Sequence, residues 1–207
     1  MGVYSQRVLP HLINVVMNGK QMRPIRARVA AGLAGDVVEI GFGTGHNLPF
    51  LPSTVTRLRV VEPSVRSLLL ARERIAAAPF PVEVEGLDGA HLPFEDGSAD
   101  AVLCTWSLCT IPDPVAAVRE VARVLRPGGT LHFAEHGLAP DAAVRTWQRR
   151  LNPVQRRVAG GCHLDRDIPA LLEAGGLTVT ALDTYYNEGE PRVFGSMYEG
   201  RATHRSA

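Results

Sequence analysis

Short apolar runs alternate with amphipathic stretches along most of the chain. Apolar runs bounded by Gly, Pro, Asp or Ser are typical of strands that are buried on both faces. Five such runs occupy the first two thirds of the chain, and two more follow a helical stretch near residue 170. The predicted strands lie at 36–40, 58–61, 82–84, 101–105, 130–134, 177–182 and 193–198.

The amphipathic stretches predict helices that cover these strands. Apolar residues within 8–16 recur at helical spacing, so the N-terminus should form a helix that either covers the core or acts as a lid over a site. Ser64 and Asp113 stand where helix N-caps are expected, the latter with a proline directly after it. Gly128 should end the helix that Asp113 begins. A further helix is predicted over 167–174.

This alternation of strand and helix predicts an α/β protein with a Rossmann-like, doubly wound, mostly parallel sheet. No repeat, low-complexity tract or linker interrupts the pattern, and 207 residues suit one domain. Residues 1–207 are therefore interpreted as a single domain.

Charge and hydropathy exclude several partners. The formal net charge is +1, so no nucleic-acid partner is expected. No run approaches the ~20 apolar residues that a bilayer-spanning helix needs, so no integral membrane segment is expected. The apolar stretch at 8–17 is interrupted by His11 and Asn14, so it resembles a signal peptide only weakly. The oligomeric state stays open.

The cysteines indicate a compartment and argue against a metal. Cys104, Cys109 and Cys162 cannot all pair within one chain, which favours a reducing, cytoplasmic location. Cys104 and Cys109 are five residues apart, a poor match to zinc-site spacing. No metal site is predicted.

A glycine turn follows the first predicted strand. Gly41, Gly43 and Gly45 let the backbone turn tightly and approach a ligand closely. Their Gly-x-Gly-x-Gly spacing differs from the Gly-x-Gly-x-x-Gly of dinucleotide folds. Glu39 would place a carboxylate beside the ligand, which suits an ammonium group better than a pyrophosphate.

Two further acids stand after the next two predicted strands. Glu62 could accept hydrogen bonds from a ribose diol, as an acid does at the same place in dehydrogenases. Asp88 could accept from an exocyclic amine such as that of adenine. Each acid alone could be a surface residue or a helix cap, but three acids and a glycine turn at successive strand ends favour a nucleoside-containing ligand.

The sequence resembles the class I S-adenosylmethionine (AdoMet)-dependent methyltransferases. The resemblance lies in Glu39-Ile-Gly-Phe-Gly-Thr-Gly45, in Glu62, in the segment 88–94 and in 119–129, which ends in Leu-Arg-Pro-Gly-Gly. It implies a seven-stranded sheet with an antiparallel final hairpin, and AdoMet as the methyl donor with S-adenosylhomocysteine (AdoHcy) as product.

The resemblance also implies which residues hold AdoMet. The glycine turn and its acid would hold the methionine part, the acid at 62 the ribose, and the segment at 88–90 the adenine. Residues after the fourth strand would line the methionine side, with two apolar walls nearby. The cofactor-binding residues implied are Glu39, Gly41, Phe42, Gly43, Gly45, Glu62, Pro63, Asp88, Gly89, Ala90, Thr105 and Trp106.

A closer resemblance is to the methyltransferase-like thiol methyltransferases of animals. It covers Cys104-Thr-Trp-Ser-Leu-Cys-Thr-Ile111, the pair Glu135-His136, and 151–153 through 161–162. It implies a small-molecule acceptor that is possibly a thiol. Those relatives carry an N-terminal membrane anchor, which is not expected in this sequence, so a membrane location is not carried over as an expectation.

Two histidines are candidates for chemistry at the acceptor. His136 is expected at the end of the fifth strand, where the neighbouring Glu135 could orient it as a general base; the alternative is that it only shapes the pocket. His163 could reach the same space or be structural. We therefore expect an N-terminal cap or lid over 1–33, an AdoMet-binding core over 34–137 and a C-terminal part, 138–207, that contributes to the acceptor pocket.

Two rival functions use a similar sheet. A nucleotide-dependent oxidoreductase is disfavoured by the glycine spacing and by the motif at 125–129. A non-catalytic AdoMet-binding or regulatory protein would keep the fold without turnover. The three acids at the cofactor positions argue against this second alternative, because a protein without turnover need not keep them.

Overall fold

The computed structural model describes residues 9–86 and 90–205. Seven strands form one sheet in the order β3-β2-β1-β4-β5-β7-β6. The first five pair in parallel, and β7 runs antiparallel to both of its neighbours. The predicted doubly wound sheet with an antiparallel final hairpin is thus confirmed. The strands are β1 Gly35–Ile40, β2 Val55–Val61, β3 Val82–Gly86, β4 Ala99–Thr105, β5 Leu125–His136, β6 Leu177–Tyr186 and β7 Ser196–His204.

Six α-helices lie within the described residues, and four of them bury apolar side chains against the two faces of the sheet. Ile25, Val29 and Ala71 belong to the core on one face, whereas Val121 and Leu172 belong to the core on the other. Covering both faces explains why the central strand between Ala99 and Thr105 is buried along nearly its whole length. The helices are α1 Leu9–Val16, α2 Met22–Ala30, α3 Val65–Ala76, α4 Pro114–Val124, α5 Ala142–Val158 and α6 Ile168–Ala174.

The predicted helix N-caps form as expected. The side chain of Ser64 accepts a hydrogen bond from the backbone N–H of Ser67, and Asp113 accepts one from Ala116. Each cap satisfies an N–H group that the first helical turn leaves without a partner. Asp167 caps α6 in the same way.

Two predicted boundaries were wrong. The helix α4 ends at Val124 rather than at Gly128, because Leu125 is already extended and begins β5. The last strand begins at Ser196 rather than at 193. Residues 191–195 instead form a turn in which the N–H groups of Phe194 and Gly195 bond to the carbonyl of Pro191.

The parallel register aligns the carboxyl ends of the central strands. Ile40 at the end of β1 pairs with Val61 of β2 and with Cys104 of β4, and Thr105 pairs with Ala134 of β5. Residues that follow these strands therefore meet at one edge of the sheet. Among the described helices, none has the length and hydropathy to cross a membrane.

Candidate active site

A cavity of about 280 Å³ opens at the carboxyl ends of β1 and β4. These strands lie side by side where the strand order reverses, which is where open α/β sheets bind ligands. The cavity wall includes the glycine turn after β1, the turn after β4, and His136 at the end of β5. Apolar residues of α1 and the C-terminal end of α5 complete it.

The glycine turn needs its glycines for conformation and for space. Gly41, Gly43 and Gly45 all have positive φ, between 59° and 76°, a region that side chains with a Cβ rarely adopt. A Cβ at Gly41 would lie 1.9 Å from Oγ of Ser107 in the turn after β4. The two loops therefore approach each other more closely than any side chain at Gly41 would allow, and Gly41 and Gly43 line the cavity.

Glu39 is wholly buried beneath this turn. Its Oε1 accepts a hydrogen bond of 2.7 Å from Asn47, whose amide nitrogen also lies 2.9 Å from Thr105 Oγ1. Its Oε2 has no hydrogen-bond partner among the described residues. Burial raises the pKa of Glu39 to about 7, against the opposing effects of Asn47 and Arg26. A buried carboxylate oxygen without a partner suits a cationic ligand.

Arg26 and Asn47 are site residues that the sequence interpretation missed. The guanidinium of Arg26 donates to Asn47 Oδ1 at 2.5 Å and lies 4.8 Å from the ring centre of Trp106. Burial lowers the pKa of Arg26 to about 10. A signal was present in the sequence, because Arg26 interrupts the apolar stripe of Met22, Ile25 and Val29 that α2 buries.

Trp106 follows β4 with a positive φ of 49°, the only such non-glycine residue among those described. Its backbone N–H bonds to the carbonyl of Ala134 at 2.8 Å, and its ring meets that of His136 edge to face at 6.4 Å. The Nε1 of Trp106 and the Nε2 of His136 are buried and have no hydrogen-bond partner among the described residues. Backbone strain and unpaired polar atoms often occur together at functional sites.

Glu62 directly follows β2 and holds the glycine turn. Its Oε2 accepts from the N–H of Gly43 at 2.7 Å, and its Oε1 accepts from the N–H of Ser64 at 2.8 Å. Burial raises the pKa of Glu62, while these two hydrogen bonds oppose that shift. Each carboxylate oxygen has a second lone pair, so the carboxylate can accept further hydrogen bonds from a ligand.

Glu135 does not orient His136, contrary to the sequence interpretation. Its buried carboxylate accepts from the backbone N–H groups of Ser107 and Cys109, at 2.9 and 3.2 Å. Successive side chains of a strand point in opposite directions, so the residue before His136 cannot share its direction. The carboxylate instead fixes the turn after β4.

Cys109, His136 and Cys162 meet in the cavity wall. The two sulfur atoms share a hydrogen bond at 3.6 Å, and the sulfurs and one ring nitrogen of His136 all lie within 4.8 Å of one another. The hydrogen bond with Cys109, together with the neighbouring His136, lowers the pKa of the Cys162 thiol. The pKa of Cys109 is raised by that same hydrogen bond and by burial.

The other predicted site residues are dispersed. His163 lines a separate cavity beside Arg156 and Arg157, so it does not face His136. Pro63 is exposed, and Ala90 is partly buried. Asp88 and Gly89 lie outside the described residues.

Several predicted residues do lie at the cavity. Besides Gly41, Gly43 and His136, Phe42 and Thr105 are buried in its wall, and the partly buried Trp106 lines it after β4. His46, which follows the glycine turn, contacts the carbonyl of Asn14 through Nε2 at 3.1 Å. This contact joins the glycine turn to the N-terminal segment. Burial, with Arg26 and Arg74 nearby, lowers the pKa of His46 to about 4.

Comparison with known proteins decides the family. The sequence profile described as "Methyltransferase domain" matches residues 38–133. The chain is 35% identical to thiol S-methyltransferase TMT1B of Homo sapiens over 150 residues, and 32% identical to TMT1A of the same organism over 160 residues. The chain belongs to the class I AdoMet-dependent methyltransferases. The two alignments cover 66% and 69% of this methyltransferase and only 58% and 61% of the relatives, so it spans a little over half of their length.

Solved structures agree on the fold. An AdoMet-dependent methyltransferase from Mesorhizobium loti superimposes with a TM-score of 0.66 and 18% sequence identity, covering 91% of this methyltransferase and 100% of that chain. At this identity the likeness concerns the fold alone.

The residues at the cavity fit the donor that this family uses. AdoMet carries an ammonium and a carboxylate on its methionine part. Glu39 lies beneath the glycine turn rather than in the cavity wall, and its unpaired oxygen suits the ammonium. The glycine turn leaves backbone free of side chains beside the cavity. Both features were predicted from the sequence, and the donor named there is that of the family.

Proposed function

We propose that the protein transfers the methyl group of AdoMet to a small thiol by in-line displacement. The observation that carries this proposal is one continuous cavity wall, which joins the glycine turn to the Cys109–His136–Cys162 cluster. One end of the cavity suits the donor and the other presents soft, thiol-compatible groups. The two thiol methyltransferases similar in sequence support the acceptor class.

The donor would be held by residues that are already ordered. Glu39 would meet the ammonium, with Gly41 and Gly43 offering backbone contacts, and Glu62 would accept from the ribose hydroxyls. Thr105 and Trp106 would line the methionine side. AdoMet supplies an electrophilic methyl group on a sulfonium. What remains for the protein is to align the acceptor and exclude water, and alignment of this kind can lower a barrier by ~7–11 kcal/mol.

The acceptor side of the cavity is small and largely apolar. Leu9, Leu12, Ile13 and Val16 of α1 line it, although all but Leu9 also expose much of their surface. A helix with apolar residues on both the cavity side and the solvent side fits the role of a cap or lid. The end of α5 lines the same space through Gln155 and Val158, which supports a contribution of residues 138–207 to the acceptor pocket.

A thiol needs little help from a general base. Its ordinary pKa is about 8.5, so a modest stabilisation of the thiolate near His136 gives a substantial reactive fraction. A hydroxyl acceptor would need a base placed within about 3 Å of its proton. His136, with its unpaired Nε2 at the cavity, is the described residue best placed to interact with the acceptor.

The first experiment is calorimetric titration with AdoHcy, with NADH as the control ligand. We expect micromolar binding of AdoHcy and none of NADH. Labelled AdoMet with matched thiol, phenol and amine acceptors then tests the reaction, and the thiol should be the preferred acceptor. AdoHcy binding without transfer to any acceptor would favour the non-catalytic alternative. NADH binding alone would refute the proposal.

A further inference from the structure

Three metal-binding side chains converge on the cavity from three separate parts of the fold. Cys109 lies in the turn after β4, His136 ends β5, and Cys162 lies in the segment after α5. Their ligand atoms all lie within 4.8 Å of one another, and the two sulfurs are 3.6 Å apart. The sequence alone does not show this, since Cys109 and Cys162 are 53 residues apart.

These separations match those of ligands around a tetrahedral zinc ion. With Zn–S bonds of about 2.3 Å and Zn–N bonds of about 2.0 Å, tetrahedral geometry separates two sulfurs by about 3.8 Å and a sulfur from a nitrogen by about 3.5 Å. The sulfur pair already has this spacing. Closing a sulfur–nitrogen separation of up to 4.8 Å to this value needs at most about 1.3 Å of movement by the histidine side chain.

The backbone around the two cysteines is held in place. The N–H of Cys109 donates to Glu135, and its carbonyl accepts from the N–H of His163 at 2.8 Å. The N–H of Cys162 bonds to the carbonyl of Ala159 at 3.1 Å. Both thiols are buried, and Nε2 of His136 has no hydrogen-bond partner among the described residues. Hydrogen bonds that fix the residues carrying the ligand atoms are typical of metal centres.

We propose that Cys109, His136 and Cys162 bind Zn²⁺ and leave its fourth position open to the cavity, where the acceptor thiol coordinates. Two thiolates and one imidazole with an open position form a donor set that catalytic zinc sites use. All three residues line the cavity that also contacts the glycine turn. The assignment of the fourth ligand rests on the proposed thiol methylation, whereas the three-residue site does not.

The reaction at such a site balances without another reactant. The acceptor thiol binds zinc as a thiolate and releases its proton to solvent. Its sulfur then forms a bond to the methyl carbon as the bond from that carbon to the AdoMet sulfonium breaks, leaving AdoHcy. The thioether product is neutral and binds zinc more weakly than the thiolate, so it can leave. The sum is thiol plus AdoMet giving methyl thioether, AdoHcy and one proton.

The test measures metal binding directly. The reduced protein is dialysed against zinc and its metal content is determined by mass spectrometry; it is then depleted and titrated with Co²⁺. We expect one zinc per chain, thiolate-to-cobalt charge-transfer bands, and the visible bands of tetrahedral cobalt. Cys109→Ser, His136→Gln and Cys162→Ser should each weaken Co²⁺ binding more than about 100-fold, since loss of an outer contact alone costs 10–100-fold.

Cys104→Ser is the matched control, because Cys104 is equally buried but lies outside the cluster. It should bind cobalt as the unaltered protein does. AdoHcy titration of each variant shows whether it remains folded. If a variant fails to bind AdoHcy, alkylation of the unaltered protein is the test instead. Bound metal should then protect Cys109 and Cys162 from alkylation.

Several results would overturn the proposal. They are the absence of stoichiometric metal in the reduced protein, cobalt binding that survives Cys162→Ser, or a Cys109–Cys162 disulfide whose reduction restores no metal uptake. Addition of the acceptor thiol should shift the cobalt spectrum, and an unchanged spectrum would refute the open position. If metal-free enzyme methylates thiols at the full rate, this inference fails while the proposed function stands. If AdoHcy does not bind, the proposed function fails while the metal content still tests the site.

Discussion

Glu62→Gln separates two roles of one carboxylate. In the structure Glu62 holds the glycine turn, and in the proposed function it binds the ribose of the donor. In the ligand-free protein, its two oxygens accept from the N–H groups of Gly43 and Ser64. An amide of the same shape can accept at only one of these positions, and its NH₂ group faces the other N–H. The substitution therefore leaves one backbone donor without an acceptor and removes the charge from the remaining hydrogen bond.

The magnitudes follow from these contacts. An unsatisfied buried donor costs about 1–3 kcal/mol, which for a chain of this size lowers the melting temperature by about 2–12 °C. A ribose hydroxyl that loses a charged acceptor forfeits about 1.5–3 kcal/mol, or about 10- to 150-fold in AdoHcy affinity. The effect on affinity should therefore be measurable even where the loss of stability is modest.

Calorimetry with AdoHcy and thermal unfolding without ligand measure the two effects separately. Glu73→Gln is the control, because Glu73 is an exposed residue of α3. It should change affinity less than about twofold. If Glu62→Gln lowers the melting temperature but binds AdoHcy as tightly as Glu73→Gln does, the ribose contact is wrong and Glu62 serves only the turn.

Two further predictions concern the glycine turn and the acid beneath it. Gly41→Ala should lower the melting temperature more than Gly128→Ala does. Both substitutions strain a positive φ by about 1–2 kcal/mol, but only at Gly41 does the new Cβ also meet Ser107. Equal losses of melting temperature, or no recovery when Gly41→Ala is combined with Ser107→Gly, would contradict the steric argument. AdoHcy should bind more tightly as the pH rises from about 6 to 7.5, because burial raises the pKa of Glu39 to about 7 and an ammonium prefers the carboxylate. Glu39→Gln should flatten this dependence in calorimetry. The stability of the ligand-free protein should depend on pH in the opposite direction. Because the pKa of Glu39 is raised from 4.5 to about 7, its contribution to stability is lost as the pH rises through this range.

Most of the fold could be predicted because its signals are local. The apolar runs at β1, β2 and β4 are bounded by turn residues, and both predicted caps form the expected hydrogen bonds. The errors occurred where tertiary contacts override local preference. Leu125 ends α4 because its backbone joins the sheet beside Ala99, and nothing in the adjacent sequence specifies that pairing.

The candidate site was predictable mainly where it lies at a strand end. Glu39 lies near the end of β1, and the glycine turn and Glu62 directly follow apolar strand ends. Arg26 and Asn47 carry no such mark, because their importance depends on the packing of α2 against the turn. The closeness of Cys109 and Cys162 depends on how the segment after α5 returns to the sheet, which is a property of the tertiary fold.

The pair Glu135 and His136 shows how one strand end can serve two parts of the same site. A sequence reading couples them directly, as an acid that orients a base. In the structure they point apart, and Glu135 holds the N–H of Cys109 in the turn after β4. That turn brings the Cys109 sulfur back to within 4.8 Å of the His136 ring nitrogen. The acid therefore acts on the cluster through the backbone of the turn, so its removal should displace Cys109 before it disturbs His136.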